Sequence, residues 1–334
     1  MTIDFWMPHV KIAGGSKITL THATELSSRG HHVRIFVRQT SWRNRFFASG
    51  TWKKTFRVPI TYVRTWEEAS RHKSDVAIAD SWQVAEALIA CHPPKKLFQL
   101  IQHDERLYHG DREAVESVYR SSKLRKIVVA TWLKELFERE FNVSPACITN
   151  TIDRSAFFPS RDMRGNDSLS ILLLVHTYPW KGTQEGIDIV TRLKTRYPKV
   201  RLIGFGVRTP DALPGLDEYH YNPSQADLRT LYASSDVFLC PSWDEGFGLP
   251  SLEAMACGSA LVTYDNGGSR DFAFDGKTAL VVPRKDRAAL ENALARLIAD
   301  KELRESIQKG GVDFVRNLPT WGEQAERFEG AILN

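Results

Sequence analysis

Asp236–Gly258 reads DVFLCPSWDEGFGLPSLEAMACG, and the architecture turns on this stretch. Val237–Cys240 is an apolar run of the length of a buried strand. A loop follows, with Pro241, Glu245, Gly246 and Gly248. Pro250 then stands where a helix should begin, a place where proline's missing N–H had no helical partner to lose. The glycines permit close backbone approach to a ligand. A strand, a glycine-bearing loop and a helix start together offer free amides and a positive dipole end to an anion. Glu245 and Glu253 flank the turn, and carboxylates repel a phosphate, so their work lies elsewhere. Each can accept two hydrogen bonds from neighbouring hydroxyls. The constellation suits a diphosphate lying between two sugars.

Outward from this turn, strands and helices alternate in both directions. Ile3–Met7, Val33–Val37, Val76–Ala79, Leu97–Ile101 and Lys126–Ala130 read as strands of an N-terminal half. Between the first two, Gly14-Gly15-Ser16 breaks the pattern and Ile18–Ser28 shows helical spacing that ends at Gly30. The polar stretch Ser155–Asn166 reads as a linker. The alternation then restarts with Ile171–Val175, Val200–Gly204, Val237–Cys240, Ala260–Thr263 and Ala279–Val282 as strands. Helices are expected at Thr183–Tyr197, Ala226–Ser234, Pro250–Ala256 and Ala288–Ala299. Such alternation predicts parallel sheets covered on both faces. The expected division is an N-terminal domain of residues 1–155 and a C-terminal domain of 156–314, with a last helix at 315–334 crossing back to the first.

The 334 residues suffice for two ordinary domains, and 42% hydrophobic with 25% charged residues is the composition of a globular enzyme. Cys91, Cys147, Cys240 and Cys257 form no C-x-x-C pair, which speaks against zinc or redox chemistry. No apolar run reaches the length of a membrane span. A net charge of +5 is too modest to point to nucleic acid, although residues 1–160 carry 24 Lys and Arg against 16 Asp and Glu. Neither a D-x-D nor an H-E-x-x-H motif occurs. These features lead to an expectation of a cytoplasmic enzyme that uses no metal and no cofactor.

Glu245, seven intervening residues and Glu253, within EGFGLPSLEAMACG, resemble the signature of retaining glycosyltransferases of the GT-B fold, most closely glycosyltransferase family 4. The flanking LYASSDVFLCPS and SALVTYDNGGSRDFAFDGKTALVVP fit the same order. The resemblance implies an α/β fold of two Rossmann-like β/α/β domains facing across a cleft. It implies that Glu245 contacts the donor sugar and Glu253 the nucleotide ribose, with Gly246, Phe247, Gly248 and Leu249 around the diphosphate. Upstream, ILLLVHTYPWKGTQEGIDIV resembles the family's loop bearing a basic pair for the diphosphate. Lys181 matches one member. His176 stands where the family usually has arginine, and could equally be a strand-end histidine bonded to backbone.

In the N-terminal half, Gly14 and Gly15 resemble the family's glycine-rich loop beneath the donor. His103, after the strand in LFQLIQHDERLYHG, resembles its active-site histidine contacting the donor sugar. QLIQHDERLY also resembles a Q-x-x-E variant of some polysaccharide-type members. The resemblance thus implies His103, Lys181 and Glu245 as catalytic residues, and a nucleotide diphospho-sugar as donor, UDP-linked before GDP- or dTDP-linked. The implied acceptor is a glycan or lipid-linked hydroxyl in cell-surface polysaccharide or glycolipid synthesis.

Arg38–Arg57 interleaves basic and aromatic residues, including Trp42, Arg43, Phe46, Trp52 and Lys53. That mixture suits a peripheral membrane contact at the inner face or an acceptor groove, or else a partly buried loop with a solvated basic face. Two alternative functions remain at this point. One is a non-catalytic subunit that binds sugar nucleotide. The other is a nicotinamide-dependent oxidoreductase, which the sequence opposes because Gly204-Phe205-Gly206 lacks a third glycine at Thr209.

Overall fold

A computed structural model describes residues 1–10, 14–38, 56–91, 96–108, 110–160, 168–207 and 214–333. The chain forms two compact units, Met1–Thr151 with Pro319–Asn334, and Ile152–Leu318.

In the first unit, parallel strands β1 (Thr2–Met7), β2 (His32–Arg38), β3 (Ile60–Val63), β4 (Val76–Ala79), β5 (Lys96–Ile101), β6 (Arg125–Val128) and β7 (Ala146–Cys147) lie in the order β3-β2-β1-β4-β5-β6-β7. Strand order reverses between β1 and β4, the place where open α/β sheets bind ligands. Val76–Ala79 is buried throughout, as expected of a strand covered on both faces. The short edge strands β3 and β7 were absent from the sequence pattern: Ile60–Val63 is half exposed and Ala146–Cys147 has only two residues.

The opening helix α1 runs Gly14–Ser28, so Gly14-Gly15-Ser16 is its first turn rather than a loop before it. The cause is packing. A Cβ on Gly15 would come within 3.2 Å of the Gln102 side chain, so glycine serves close approach here rather than a turn. Helices α2 (Trp66–Ser70), α3 (Trp82–Cys91), α4 (Arg112–Arg120) and α5 (Thr131–Phe141) follow.

The second unit repeats the design with β8 (Ser170–Leu174), β9 (Arg201–Gly206), β10 (Glu218–Tyr221), β11 (Val237–Cys240), β12 (Ala260–Tyr264) and β13 (Ala279–Val282), all parallel, in the order β10-β9-β8-β11-β12-β13. The reversal falls between β8 and β11. Its helices are α6 (Thr183–Arg196), α7 (Gln225–Ser234), α8 (Leu249–Ala256), α9 (Arg287–Ala299) and α10 (Lys301–Arg316). Ile171, Leu173, Val190, Val262, Leu294 and Ile307 belong to one buried cluster that fastens helices to this sheet. The polar edge strand β10 and helix α10 escaped the periodicity.

The closing segment expected at 315–334 is split. Helix α10 ends at Arg316, and α11 (Trp321–Leu333) starts afresh after Pro319. In the first unit α11 sets Phe328 on the ring of His22 on α1, with centroids 4.5 Å apart. Gln324 bonds Thr149 Oγ1 at 3.1 Å, fixing it further. The segment 39–55, which holds nearly all of the basic and aromatic stretch, lies outside the described residues, as does 161–167 of the expected linker. Among the described residues no helix is long and apolar enough to cross a membrane.

Candidate active site

The turn between β11 and α8 is built as its composition requires. Gly248 caps α8 with φ 93° and ψ 45°, a left-handed conformation that only glycine adopts without strain. Pro250 sits in the first helical turn. The amides of Phe247, Gly248 and Leu249 make no hydrogen bond among the described residues, so the helix start presents donors. Phe247 itself is buried against Phe272, with centroids 5.4 Å apart, so what it offers a ligand is its backbone. A second close approach braces the loop from behind. A Cβ on Gly268 would lie 2.7 Å from the Phe247 amide nitrogen and 2.8 Å from the Glu245 carbonyl oxygen.

The loop after β8 meets this turn. Gly182, at φ +66°, has no room for a side chain: a Cβ would sit 2.3 Å from the Pro241 carbonyl oxygen. Trp243 N–H donates to the Trp180 carbonyl at 2.8 Å. These contacts bring together two residues far apart in sequence. Lys181 Nζ donates to Glu245 Oε1 at 2.7 Å, with side chains 20% and 12% exposed. The pair is therefore half-sheltered and pre-placed beside the start of α8.

His176 is bonded to backbone. Its Nδ1 accepts from Tyr178 N–H at 3.1 Å, so a neutral ring carries its proton on Nε2. Thr183 closes the same loop: its hydroxyl donates to the His176 carbonyl at 3.0 Å and accepts from the His176 amide at 2.9 Å. Tyr178 stacks on Trp180 and lies tilted by 43° against His176, with both centroid separations 4.4 Å.

Glu253 lies buried on α8. It accepts from the hydroxyl of Tyr232 at 3.3 Å. Tyr232 is itself sealed among Phe157, Phe205 and Phe238, so the carboxylate is anchored to an aromatic cluster. Burial, followed by the neighbouring Glu253 charge, holds the Tyr232 phenol well above its ordinary range and the Cys257 thiol up at about 12. Neither group is a nucleophile near neutral pH.

A cavity of about 380 Å³ opens at the carboxyl ends of β8 and β11, lined by His176, Tyr178, Thr183, Glu185 and Trp243 among others. Sequence reading missed the strut that shapes it. Glu185 accepts from Trp243 Nε1 at 3.0 Å and from the Tyr264 hydroxyl, holding the indole in place. Lys285 covers the Trp243 ring at 4.4 Å.

Gly14, Gly15 and His103 belong to the other unit. His103 follows β5, and its carbonyl accepts from Tyr119 Oη at 3.5 Å. Glu105 of the Q-x-x-E pattern is turned inward: it accepts from Trp82 N–H at 3.0 Å and from Gln99 Nε2 at 3.4 Å, at the start of α3. Sequence reading also missed Asp80, which follows β4 and accepts from Thr19 Oγ1 at 2.7 Å and Gln102 Nε2 at 2.5 Å.

Burial pushes Asp80 up to about 7, and burial together with neighbouring acids pushes Glu105 up to about 8. In the unfolded chain both titrate near pH 4. The folded unit therefore binds more protons than the unfolded chain between about pH 4 and 8, and loses stability as pH rises through that window. Two groups act oppositely outside its upper part. His22, pulled down to about 4 by burial, costs stability only below its ordinary 6.5, and Lys126, pulled down to about 8 by burial, carries its cost in full below that value and is relieved of it only as pH rises above it. From pH 8 to 6.5 the melting temperature should rise. Glu105→Gln should flatten that rise in scanning calorimetry; an unchanged slope would show that Glu105 ionises normally.

Residues 165–313 match the family described as glycosyl transferases group 1. A D-inositol 3-phosphate glycosyltransferase of Actinosynnema mirum is 34% identical over 137 residues, 38% of this chain and 33% of that protein. A Campylobacter jejuni N,N'-diacetylbacillosaminyl-diphospho-undecaprenol alpha-1,3-N-acetylgalactosaminyltransferase is 30% identical over 148 residues, 43% and 39% of the two chains. The chain thus spans about a third of the length of the curated relatives it matches. The structure of Anabaena HepE in complex with UDP-glucose matches over 100% of this chain and 99% of that one, with a TM-score of 0.81 at 15% identity. With such neighbours, the two parallel sheets form the GT-B fold.

Proposed function

We propose that this chain is a glycosyltransferase that moves a sugar from a UDP-sugar to a hydroxyl of a glycan or lipid-linked acceptor, with retention of configuration and without a metal. The observation that carries the reading is the Lys181–Glu245 ion pair at 2.7 Å beside the left-handed Gly248 start of α8, inside the matched domain. The amides opening α8 and the Lys181 ammonium meet the diphosphate. Charge on its leaving oxygen grows as the glycosidic bond breaks, so donors fixed there lower the barrier. That oxygen takes the proton of the attacking hydroxyl on the same face of the sugar. Glu245 holds the donor sugar and Glu253 the ribose, while Gly246 and Phe247 supply backbone.

HepE was solved with UDP-glucose, which favours a uridine donor. The Campylobacter relative's name specifies a diphospho-undecaprenol acceptor, which favours lipid-linked substrates and cell-surface polysaccharide or glycolipid synthesis. Arg38–Arg57 is the stretch suited to holding such a chain at the membrane.

The test is a panel of UDP-, GDP- and dTDP-sugars with the purified chain in chelator-containing buffer, followed through release of nucleoside diphosphate. Release from a UDP-sugar supports the reading. UDP binding with no turnover of any donor would leave a sugar-nucleotide-binding subunit instead. Glu253→Ala should weaken UDP binding by roughly 1.5–3 kcal/mol, the value of a hydrogen bond to a charged group. Calorimetric titration checks this, and an unchanged affinity would take Glu253 off the ribose.

A further inference from the structure

Past β11 the chain runs through residues 241–248 before α8 begins, and Glu245 stands midway in that loop. Its place therefore depends on what holds the two residues before it. Trp243 is tied at each polar atom. Its amide donates to the Trp180 carbonyl at 2.8 Å, its indole N–H donates to Glu185 at 3.0 Å, and its carbonyl accepts from Arg284 Nε at 2.9 Å. The same guanidinium grips the next residue, with Nη2 donating to the two carboxylate oxygens of Asp244 at 2.8 and 2.7 Å. The Glu245 amide then donates to the Asn266 carbonyl at 3.0 Å. One side chain thus holds a carbonyl and a carboxylate of two successive residues, and the third carries the carboxylate that meets Lys181.

The turn that delivers Arg284 is strained. Lys285 has φ +63°, a left-handed conformation that glycine or asparagine takes far more readily than lysine. Its Nζ nevertheless lies 4.4 Å from the centroid of the Trp243 ring, so both side chains of the turn close on the same loop. Folding stability does not account for this. The Arg284 and Asp244 side chains are 45% and 20% exposed, and an ion pair so open to water contributes little to folding, while the strain opposes it. What the arrangement supplies is fixed geometry, because a planar guanidinium fork meets its acceptors in a defined orientation. Strain retained beside a site points to work done there.

We propose that Arg284 is a positioning residue for Glu245. Its guanidinium clasps Trp243 and Asp244 and so sets where the Glu245 carboxylate stands to receive the donor sugar. The inference rests on the reading of Glu245 as the sugar contact, and adds to it the side chain that holds that contact in register.

The test is a cycle between Arg284 and Glu245. Turnover is followed as UDP release from UDP-glucose and the other UDP-sugars of the donor panel, with UDP affinity by calorimetry and melting temperature on the same samples. Arg284→Ala and Asp244→Asn, which open the clasp from its two sides, are each expected to lower kcat by about tenfold, the scale of a misplaced contact. UDP affinity and melting temperature stay at the native values, because the clasp acts on the sugar contact and adds little to the fold. Arg284→Lys keeps the charge without the fork and does not restore the rate. In a Glu245→Gln chain, Arg284→Ala lowers turnover no further, since both changes remove one contact. The native rate in Arg284→Ala or in Asp244→Asn, full recovery in Arg284→Lys, or a loss that repeats undiminished in the Glu245→Gln chain overturns the proposal and leaves the reading of Glu245 standing. A lost rate accompanied by a lowered melting temperature and weaker UDP binding overturns it as a structural effect. Glu245→Gln at the native rate, or turnover of none of the donors, overturns the reading of Glu245 and this inference with it.

Discussion

Lys181→Ala is expected to lower the rate of UDP release from a UDP-sugar and acceptor by about a hundredfold, the scale of losing one fixed donor to a developing oxyanion. The ammonium has three N–H donors, and one is spent on Glu245 Oε1. It can therefore keep Glu245 and still reach a diphosphate oxygen, so binding of donor need not break the ion pair. The substitution has a second consequence. It leaves the 12%-exposed Glu245 beside the place where the diphosphate must sit, with its charge no longer offset. Lys181→Ala with Glu245→Gln separates the two effects. If repulsion from Glu245 dominates, the double variant recovers part of the rate; if loss of the ammonium dominates, it does not. A single variant within threefold of the native rate would place Lys181 away from the leaving group.

Much of this arrangement is legible in the sequence, for a physical reason. Strands β8 and β11 are buried on both faces and so appear as unbroken apolar runs, SILLL and VFLC. The turn between β11 and α8 needs a left-handed residue and tolerates proline in the first turn, and Gly248 and Pro250 stand in those places. Local backbone demands leave local marks. Side-chain pairings across the fold do not. Thr19 and Asp80 are 61 residues apart, Glu185 and Trp243 58, and Tyr232 and Glu253 21. Each partner taken singly is an ordinary solvated or core residue. Gly14 and Gly15 show the converse error, because a glycine pair reads as a turn. Neither has positive φ, and Gly15 is small because Gln102 lies against it. Edge strand β10, EYHY, alternates no apolar face because none of its four residues is buried.

Gly182→Ala should cost the most stability of any methyl added in the second unit's loops at the site. Two terms add. The left-handed backbone at φ +66° costs an L-residue about 1–2 kcal/mol. The new Cβ would also fall 2.3 Å from the Pro241 carbonyl oxygen, a backbone atom that cannot swing aside as a flexible side chain would. The loop must lift off Pro241, for a total of about 2–4 kcal/mol. Gly276→Ala isolates the first term in the same unit, since Gly276 has φ +69° and a methyl there would meet nothing within 4 Å. Thermal melts of the two variants should therefore differ, with Gly182→Ala the lower by several degrees. Activity should separate them further. Lys181 precedes Gly182, so lifting the loop carries the ammonium from Glu245 and slows transfer, whereas Gly276→Ala leaves transfer at the native rate. Equal melting temperatures in the two variants would mean that the approach to Pro241 relaxes freely, and that the Lys181–Glu245 pair is not held by it.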